Sequence, residues 1–260
     1  MEIVVLLKQV PATESLIEIA ADGLSIKTDD IKWIMNPYDE FAVEEALQIR
    51  EKHDGSVTVL SVGSQQTIEA IRTALAMGAD KGILIDDPAV EKCDALGIAK
   101  IIAATLQDVP FDVIIAGQRA VDDDNFQVAQ AVAEFLKIPQ ISMVIKEEIV
   151  AGKIKCQRTI EGGMVLLEAP LPALFTTQRG LNEPRYASLP GIMKAKKKPL
   201  NIKAITDLGL DAASDLQPLS RIKALKPPPE RKGGRIIEGE SAQAKVAELV
   251  RALQEEAKAI

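Results

Sequence analysis

Short apolar runs organise the first half of the chain. Residues 3–8, 57–62, 82–85 and 112–116 are each of strand length, and each is followed by a stretch whose apolar positions return every three or four residues. In the second of these stretches, TIEAIRTALAMGA, Ile68, Ile71 and Leu75 fall on one helical face and Gly78 supplies a C-terminal stop. The first helix has the sharpest predicted start, with Asn36 as cap, Pro37 at the first helical position, and Asp39 and Glu40 complementing the positive end of the dipole. Later helices are predicted over about residues 92–106 and 125–136, the last closed ahead of Pro139. The repeated βα alternation predicts an α/β fold, an open, parallel, doubly wound sheet of Rossmann-like type with helices on both faces.

After Pro139 the pattern shortens. ISMVIKEEIV, KIKCQRTI and MVLLEA, separated by Ala151-Gly152 and Gly162-Gly163, read as antiparallel hairpins that extend the sheet, and residues 172–178 give one more apolar strand. Beyond Pro190 the chain turns basic, proline-rich and sparse in apolar residues. The compact fold is therefore expected to span residues 1–190, and residues 191–260 to form an extended arm ending in a helix. In that helix, over residues 241–260, Val246, Leu249, Val250, Leu253 and Ala257 share one face behind a Ser241 cap. Such a stripe needs an apolar partner, and the prolines at 227–229 with Gly233-Gly234 would let it reach a different body.

Composition narrows the picture. A chain of 260 residues that is 47% hydrophobic can bury a full core, and 3% aromatic content means a core of Val, Ile, Leu and Ala, which suits buried parallel strands. A net charge of −7 argues against general nucleic-acid binding, so the basic run near residue 196 has a local purpose. No apolar run nears the ~20 residues of a membrane helix and no leader pattern follows Met1, so a cytoplasmic protein with no direct membrane insertion is expected. Cys93 and Cys156 fit neither a redox pair nor a zinc pattern and are expected to be reduced, buried thiols. His53, the single histidine, sits where a helix should end, as a cation favouring its C-terminus.

An open α/β sheet binds ligands at the carboxyl ends of its strands, where strand order reverses. Residues 6–8, 61–64 and 117–124 are candidates to line such a crevice, with Gly63 and Gly117 letting backbone N–H groups approach an anion. Neither GxGxxG nor GxxxxGK[ST] occurs, so a nucleotide there would be held without a standard phosphate loop. Asp122, Asp123 and Asp124 read first as caps of the following helix, with a metal site as the alternative. No Ser, Cys or Lys has an activating histidine nearby, which disfavours triad chemistry. Trp33 and Tyr38 read as packing residues, with cofactor contact as the alternative.

The ordered segments MNPYDEFAVEEALQIRE, AIRTALAMGAD, GQRAVDDDNFQ and LNEPRYASLPGIMKAKKK resemble the beta subunit of electron transfer flavoproteins, and the similarity runs through nearly the whole chain. The resemblance implies an adenine-nucleotide-hydrolase-like variant of the sheet, and an electron carrier rather than an enzyme. It implies a heterodimer with an alpha subunit that holds most of one FAD, while beta binds AMP. Such a complex takes electrons from flavin-dependent dehydrogenases, such as acyl-CoA dehydrogenase, to a quinone reductase or similar acceptor. Carried over by position, the AMP site comprises Leu6, Asn36, Pro37, Tyr38, Asp39, Val62 and Gly63. The loop Gly117, Gln118, Arg119, Ala120, Val121, Asp122, Asp123, Asp124, Asn125, Phe126, Gln127 and Val128 completes it. Tyr38 and Thr13 would lie near the isoalloxazine ring.

The loop DDDNFQVAQ leaves a second FAD in beta, as in electron-bifurcating members, as the alternative ligand. Its three aspartates resemble the AMP type, and Asp123 stands where a glycine would admit a larger pyrophosphate. For the docking segment, residues 179–198, the resemblance implies that Leu189 is an apolar anchor for the dehydrogenase. Arg185, Lys194, Lys196, Lys197 and Lys198 would face acidic partners. Two readings of other classes remain, a stand-alone adenine-nucleotide sensor and a metal enzyme built on the aspartates.

Overall fold

In a computed structural model of the protein, which describes residues 1–229 and 233–260, the first strand shows why the sheet is covered on both sides. Along β1 (Glu2–Leu6), Ile3 and Val5 enter one buried layer and Val4 and Leu6 the other, because successive side chains alternate across a strand. The short strands β2 (Gln9–Pro11) and β3 (Trp33–Met35) then pair in a small antiparallel sheet and lead into helix α1 (Pro37–His53). There follow β4 (Ser56–Val62), α2 (Ile68–Met77), β5 (Lys81–Ile85), α3 (Ala95–Leu106), β6 (Val113–Gly117) and α4 (Val128–Leu136). Helices α1 and α2 cover one face and α3 and α4 the other. The expected stop of α2 is met by Gly78, whose φ of +146° a side chain would resist.

The hairpin segment forms β7 (Gln140–Val150), β8 (Lys153–Ile160) and β9 (Gly163–Pro170), and the next strand is β10 (Ala173–Thr177). Among the described residues the main sheet has nine strands when β11 (Leu200–Lys203) is included, in the order β11-β5-β4-β1-β6-β10-β7-β8-β9. Every neighbouring pair from β11 to β7 is parallel, and the two pairs from β7 to β9 are antiparallel. Strand β10 slots between β6 and β7, so the hairpins continue the sheet rather than pack upon it.

The structure departs from the sequence reading at three boundaries. Helix α3 begins at Ala95, not near residue 92, because Pro88–Lys92 makes a separate 3₁₀ turn and the Asp94 carboxylate caps the helix through the Gly97 N–H at 3.0 Å. Helix α4 begins at Val128 rather than near 125, and the preceding residues form an irregular loop. The compact fold does not end at Pro190. Helix α5 (Leu189–Ala195) follows, β11 completes one sheet edge against β5, and Ile205 and Leu216 are buried in the layer of α3 and α4. The short helix α6 (Ala212–Asp215) lies in the same unit, which runs from Met1 to Ala224.

The second unit, Leu225–Ile260, contains helix α7 (Ala242–Arg251), capped as expected by Ser241, whose hydroxyl accepts the Ala244 N–H at 3.2 Å. Arg235 pairs with Glu248 at 3.2 Å and Glu256 at 2.9 Å, while Val246, Leu249 and Val250 stay exposed. The part of the expected arm at residues 230–232 lies outside the described residues. No helix among the described residues is long and apolar enough to cross a membrane.

The extended core is open to test through Ile205, which is 1% exposed although it lies well past Pro190. Ile205→Ala is expected to cost about 2–5 kcal/mol, read as a lower urea midpoint at unchanged m-value. A surface-like change under 0.5 kcal/mol would place the core boundary back near residue 190.

Candidate functional site

Strand order reverses beside β1, since the chain builds β4 and β5 on one side of it and then places β6 on the other. At the carboxyl ends of β1 and β6 lies a cavity of about 260 Å³. Its floor is apolar, with Leu6, Val62, Ala116, Ile98 and Ile102, and its mouth carries Lys8, Arg119 and Asp123.

One buried carboxylate holds the cavity's frame. Asp39, in the first turn of α1, accepts hydrogen bonds from the Lys8 N–H at 2.7 Å, the Gly117 N–H at 3.0 Å and the Asn36 amide at 3.0 Å. It thereby ties the start of α1 to the ends of both central strands. Burial pushes its carboxyl up to about 7, against these three donors, which favour the charged form. Gly117 is required here, because a Cβ would stand 2.8 Å from that of Tyr38.

Asn36 does not cap α1 with its side chain, contrary to expectation. It is 1% exposed and reaches across to the opposite loop. Its amide donates to the Arg119 carbonyl at 2.9 Å and its oxygen accepts the Val121 N–H at 3.2 Å. The three aspartates are not caps of α4 either, because the loop intervenes. Lys8 Nζ bridges Asp122 at 2.9 Å and Asp123 at 3.1 Å, and Arg119 Nη1 meets Asp124 at 2.6 Å. Burial alone would lower the Lys8 pKa, yet Asp122 and Asp123 hold it above its ordinary value. Arg119 also lies over the rings of Tyr38, at 5.1 Å, and Phe126, at 5.5 Å.

Three polar atoms on the cavity-lining residues are buried without a hydrogen-bond partner among the described residues, namely Gln118 Oε1, Arg119 Nε and Gln130 Oε1. Orphaned groups of this kind are rare, and three on the residues that line one cavity suit a small polar ligand there. Among the described residues no group of three or more His, Cys, Asp and Glu side chains is arranged to hold a metal ion.

The cavity wall includes the expected Leu6, Asn36, Asp39, Val62, Gly117, Gln118, Arg119, Ala120, Asp123, Asn125, Phe126, Gln127 and Val128. Pro37, Tyr38, Gly63, Val121, Asp122 and Asp124 do not line it, and Thr13 is exposed on the segment between β2 and β3. Sequence reasoning missed the wall contributed by the start of α3, namely Cys93, Asp94, Ala95, Ile98 and Ile102. Asp94, an N-cap residue ahead of an apolar-periodic run, was the available signal. Cys93 is half-buried at that wall, whereas Cys156 is fully buried and burial pushes its thiol up to about 12.

The docking segment lies against α1 and α2. Leu189 is 79% exposed at the start of α5, with Tyr186 at 99% and Met193 at 74%, so local packing does not explain it. Lys194, Lys196 and Lys197 are exposed, but Lys198 is turned inward, donating to the Leu75 carbonyl at 2.9 Å and the Ala79 carbonyl at 2.5 Å. Arg185, expected to face a partner, is instead paired with Glu44 and Glu51 on α1.

Replacing Asp39 with Asn would leave one oxygen for three N–H donors. Asp39→Asn is expected to destabilise the fold by about 1–3 kcal/mol, seen in urea unfolding at neutral pH, and a neutral result would remove Asp39 as the frame of the site.

A family model described as electron transfer flavoprotein domain matches residues 23–208. Over the full length of both chains the sequence is 41% identical to the electron transfer flavoprotein subunit beta of Bacillus subtilis. It is 39% identical to that of Bradyrhizobium diazoefficiens, with 99% of each chain covered, and 38% identical to that of Homo sapiens, with 96% of this chain and 98% of the human one covered. A match of this extent places the chain in the electron transfer flavoprotein beta-subunit family.

Proposed function

We propose that the chain is the beta half of a heterodimeric electron carrier acting in the cytoplasm. Its alpha partner would hold most of one FAD. The complex would accept electrons from flavin-dependent dehydrogenases, such as an acyl-CoA dehydrogenase, and deliver them to a quinone reductase or similar acceptor. The flavin, when bound, supplies the redox chemistry. What falls to this chain is binding, placement and partner selection. The exposed Val246, Leu249 and Val250 stripe of α7 supports an apolar contact with the alpha subunit.

AMP is the ligand that suits the cavity. The observation that carries this reading is the set of buried, unpartnered atoms Gln118 Oε1, Arg119 Nε and Gln130 Oε1 on the residues that line it. A nucleoside offers an amine, ring nitrogens and hydroxyls to satisfy them, and the apolar floor suits a base. Lys8 and Arg119 are the cations available to a phosphate, which would compete with Asp123 and Asp124 for them. At about 260 Å³ the space is near the lower end of the ~300–1,000 Å³ of small-molecule sites, which suits a mononucleotide better than a dinucleotide. A second FAD is the competing reading, since Gln127 and Val128 at the wall resemble the loop of electron-bifurcating members.

Leu189, with Tyr186 and Met193, forms the apolar patch that would enter a groove on the dehydrogenase, and Lys194, Lys196 and Lys197 would raise the encounter rate with an acidic rim. Thr13 and Tyr38 would face the flavin held by alpha.

Denaturing the purified heterodimer and identifying the nucleotides released is expected to give one FAD and one AMP, whereas two FAD would assign the cavity to a second flavin. Leu189→Ala is expected to raise the dehydrogenase concentration needed for half-maximal flavin reduction by roughly 30-fold, the equivalent of a ~2 kcal/mol anchor, with FAD content unchanged. Loss of flavin from that variant would instead make Leu189 a structural residue.

A further inference from the structure

Ahead of α5, residues 182–185 of the docking segment are held to α1 by side-chain hydrogen bonds. Between Leu181 and Ile192, the Arg185 N–H is taken up by Glu44 Oε2 at 3.1 Å and the Gly191 N–H by the Ser188 hydroxyl at 3.1 Å. Glu44 is 3% exposed and also accepts Arg185 Nε at 2.8 Å and Nη2 at 3.0 Å. Seven residues along, two helical turns on the same face, Glu51 accepts Arg185 Nη1 at 2.6 Å. Next to this fork, the Asn182 amide donates to the Phe41 carbonyl at 3.0 Å and to Glu45 at 2.7 Å.

Burying an acid costs free energy unless a cation with matching donors meets it, and the planar guanidinium meets Glu44 through two side-chain nitrogens. The pairing holds Glu44 below its ordinary pKa despite burial and raises that of Arg185. Its geometric result is one residue away. With Arg185 fixed, Tyr186 and then Leu189 stand out from the surface, where an unrestrained loop would fold such side chains back onto apolar neighbours.

We propose that Glu44 and Arg185 are positioning residues whose clamp on α1, completed by Glu51, pre-forms the apolar surface Tyr186, Leu189 and Met193 for a dehydrogenase. The inference rests on the docking function proposed above for Leu189. Pre-ordering removes from association the cost of freezing the segment, so the clamp acts on encounter and affinity and not on the electron-transfer step.

The test uses the flavin-loaded heterodimer and an acyl-CoA dehydrogenase reduced by its substrate. Arg185→Met is expected to raise the carrier concentration at half-maximal rate about tenfold while the maximal rate changes less than about twofold. The double variant with Leu189→Ala should be no worse than Leu189→Ala alone, because both changes remove one contact. Hydrogen exchange of amides 185–193 should accelerate in Arg185→Met. Should that variant fail to assemble, Arg185→Lys, which keeps the charge near Glu44 and loses the fork to Glu51, should show the same pattern at about threefold. An unchanged half-saturation in Arg185→Met or Arg185→Lys beside a raised one in Leu189→Ala would overturn the clamp, as would additive losses or unaltered exchange. No effect of Leu189→Ala would instead remove the docking function itself.

Discussion

The bond network around Asp39 is the constraint on which the rest of the molecule depends. A parallel sheet leaves its strand ends as separate loops, and something must fix the distance between those on either side of the reversal. Here a single buried carboxylate accepts from Lys8, just past the end of β1, and from Gly117, the last residue of β6, while belonging to α1. Asn36, one turn earlier, adds the links to Arg119 and Val121. Around the start of α1, the end of β1 and the loop after β6, the spacing of the cavity's walls is therefore set by hydrogen bonds as well as by apolar contact, and apolar packing alone would tolerate sliding.

Helix α1 consequently serves two sites. Its first turn frames the cavity, and Glu44, Glu45 and Glu51 farther along hold Arg185 and Asn182. This explains why a helix with Glu44 and Glu45 both buried persists, since each has a partner waiting. Beneath the segment, Glu45 faces Glu147 of β7, whose Oε2 has no hydrogen-bond donor among the described residues. Burial, reinforced by Glu147, raises the Glu45 pKa. The two proposed binding surfaces thus share one compact unit.

The relation between sequence and site differs from residue to residue. Leu6, Val62 and Gly117 were legible, because a strand end in an open α/β sheet is a binding position by topology. Cys93 to Ile102 were not, because the helix was taken to begin before Asp94 and the wall was hidden inside it. Arg185 and Lys198 looked alike with the other cations of their segment, yet one is spent on two glutamates and the other on carbonyls at the end of α2. A charge run has no direction in one dimension, and whether a cation meets solvent or an acid far along the chain is decided by the fold.

By itself the sequence determined the βα alternation, the parallel sheet with its hairpin extension, the cap of the last helix and the family, because these follow from local periodicity, turn residues and ordered motifs. The tertiary structure decided the rest. It slotted β10 between β6 and β7, drew residues 200–216 into the core, and turned Asn36, Asp122 and Asp123 from helix caps into cross-loop ties. The physical reason is the same in each case. These outcomes depend on which groups find partners far along the chain, at separations of 31 to 141 residues for the polar ties, and that pairing exists only once the chain has closed.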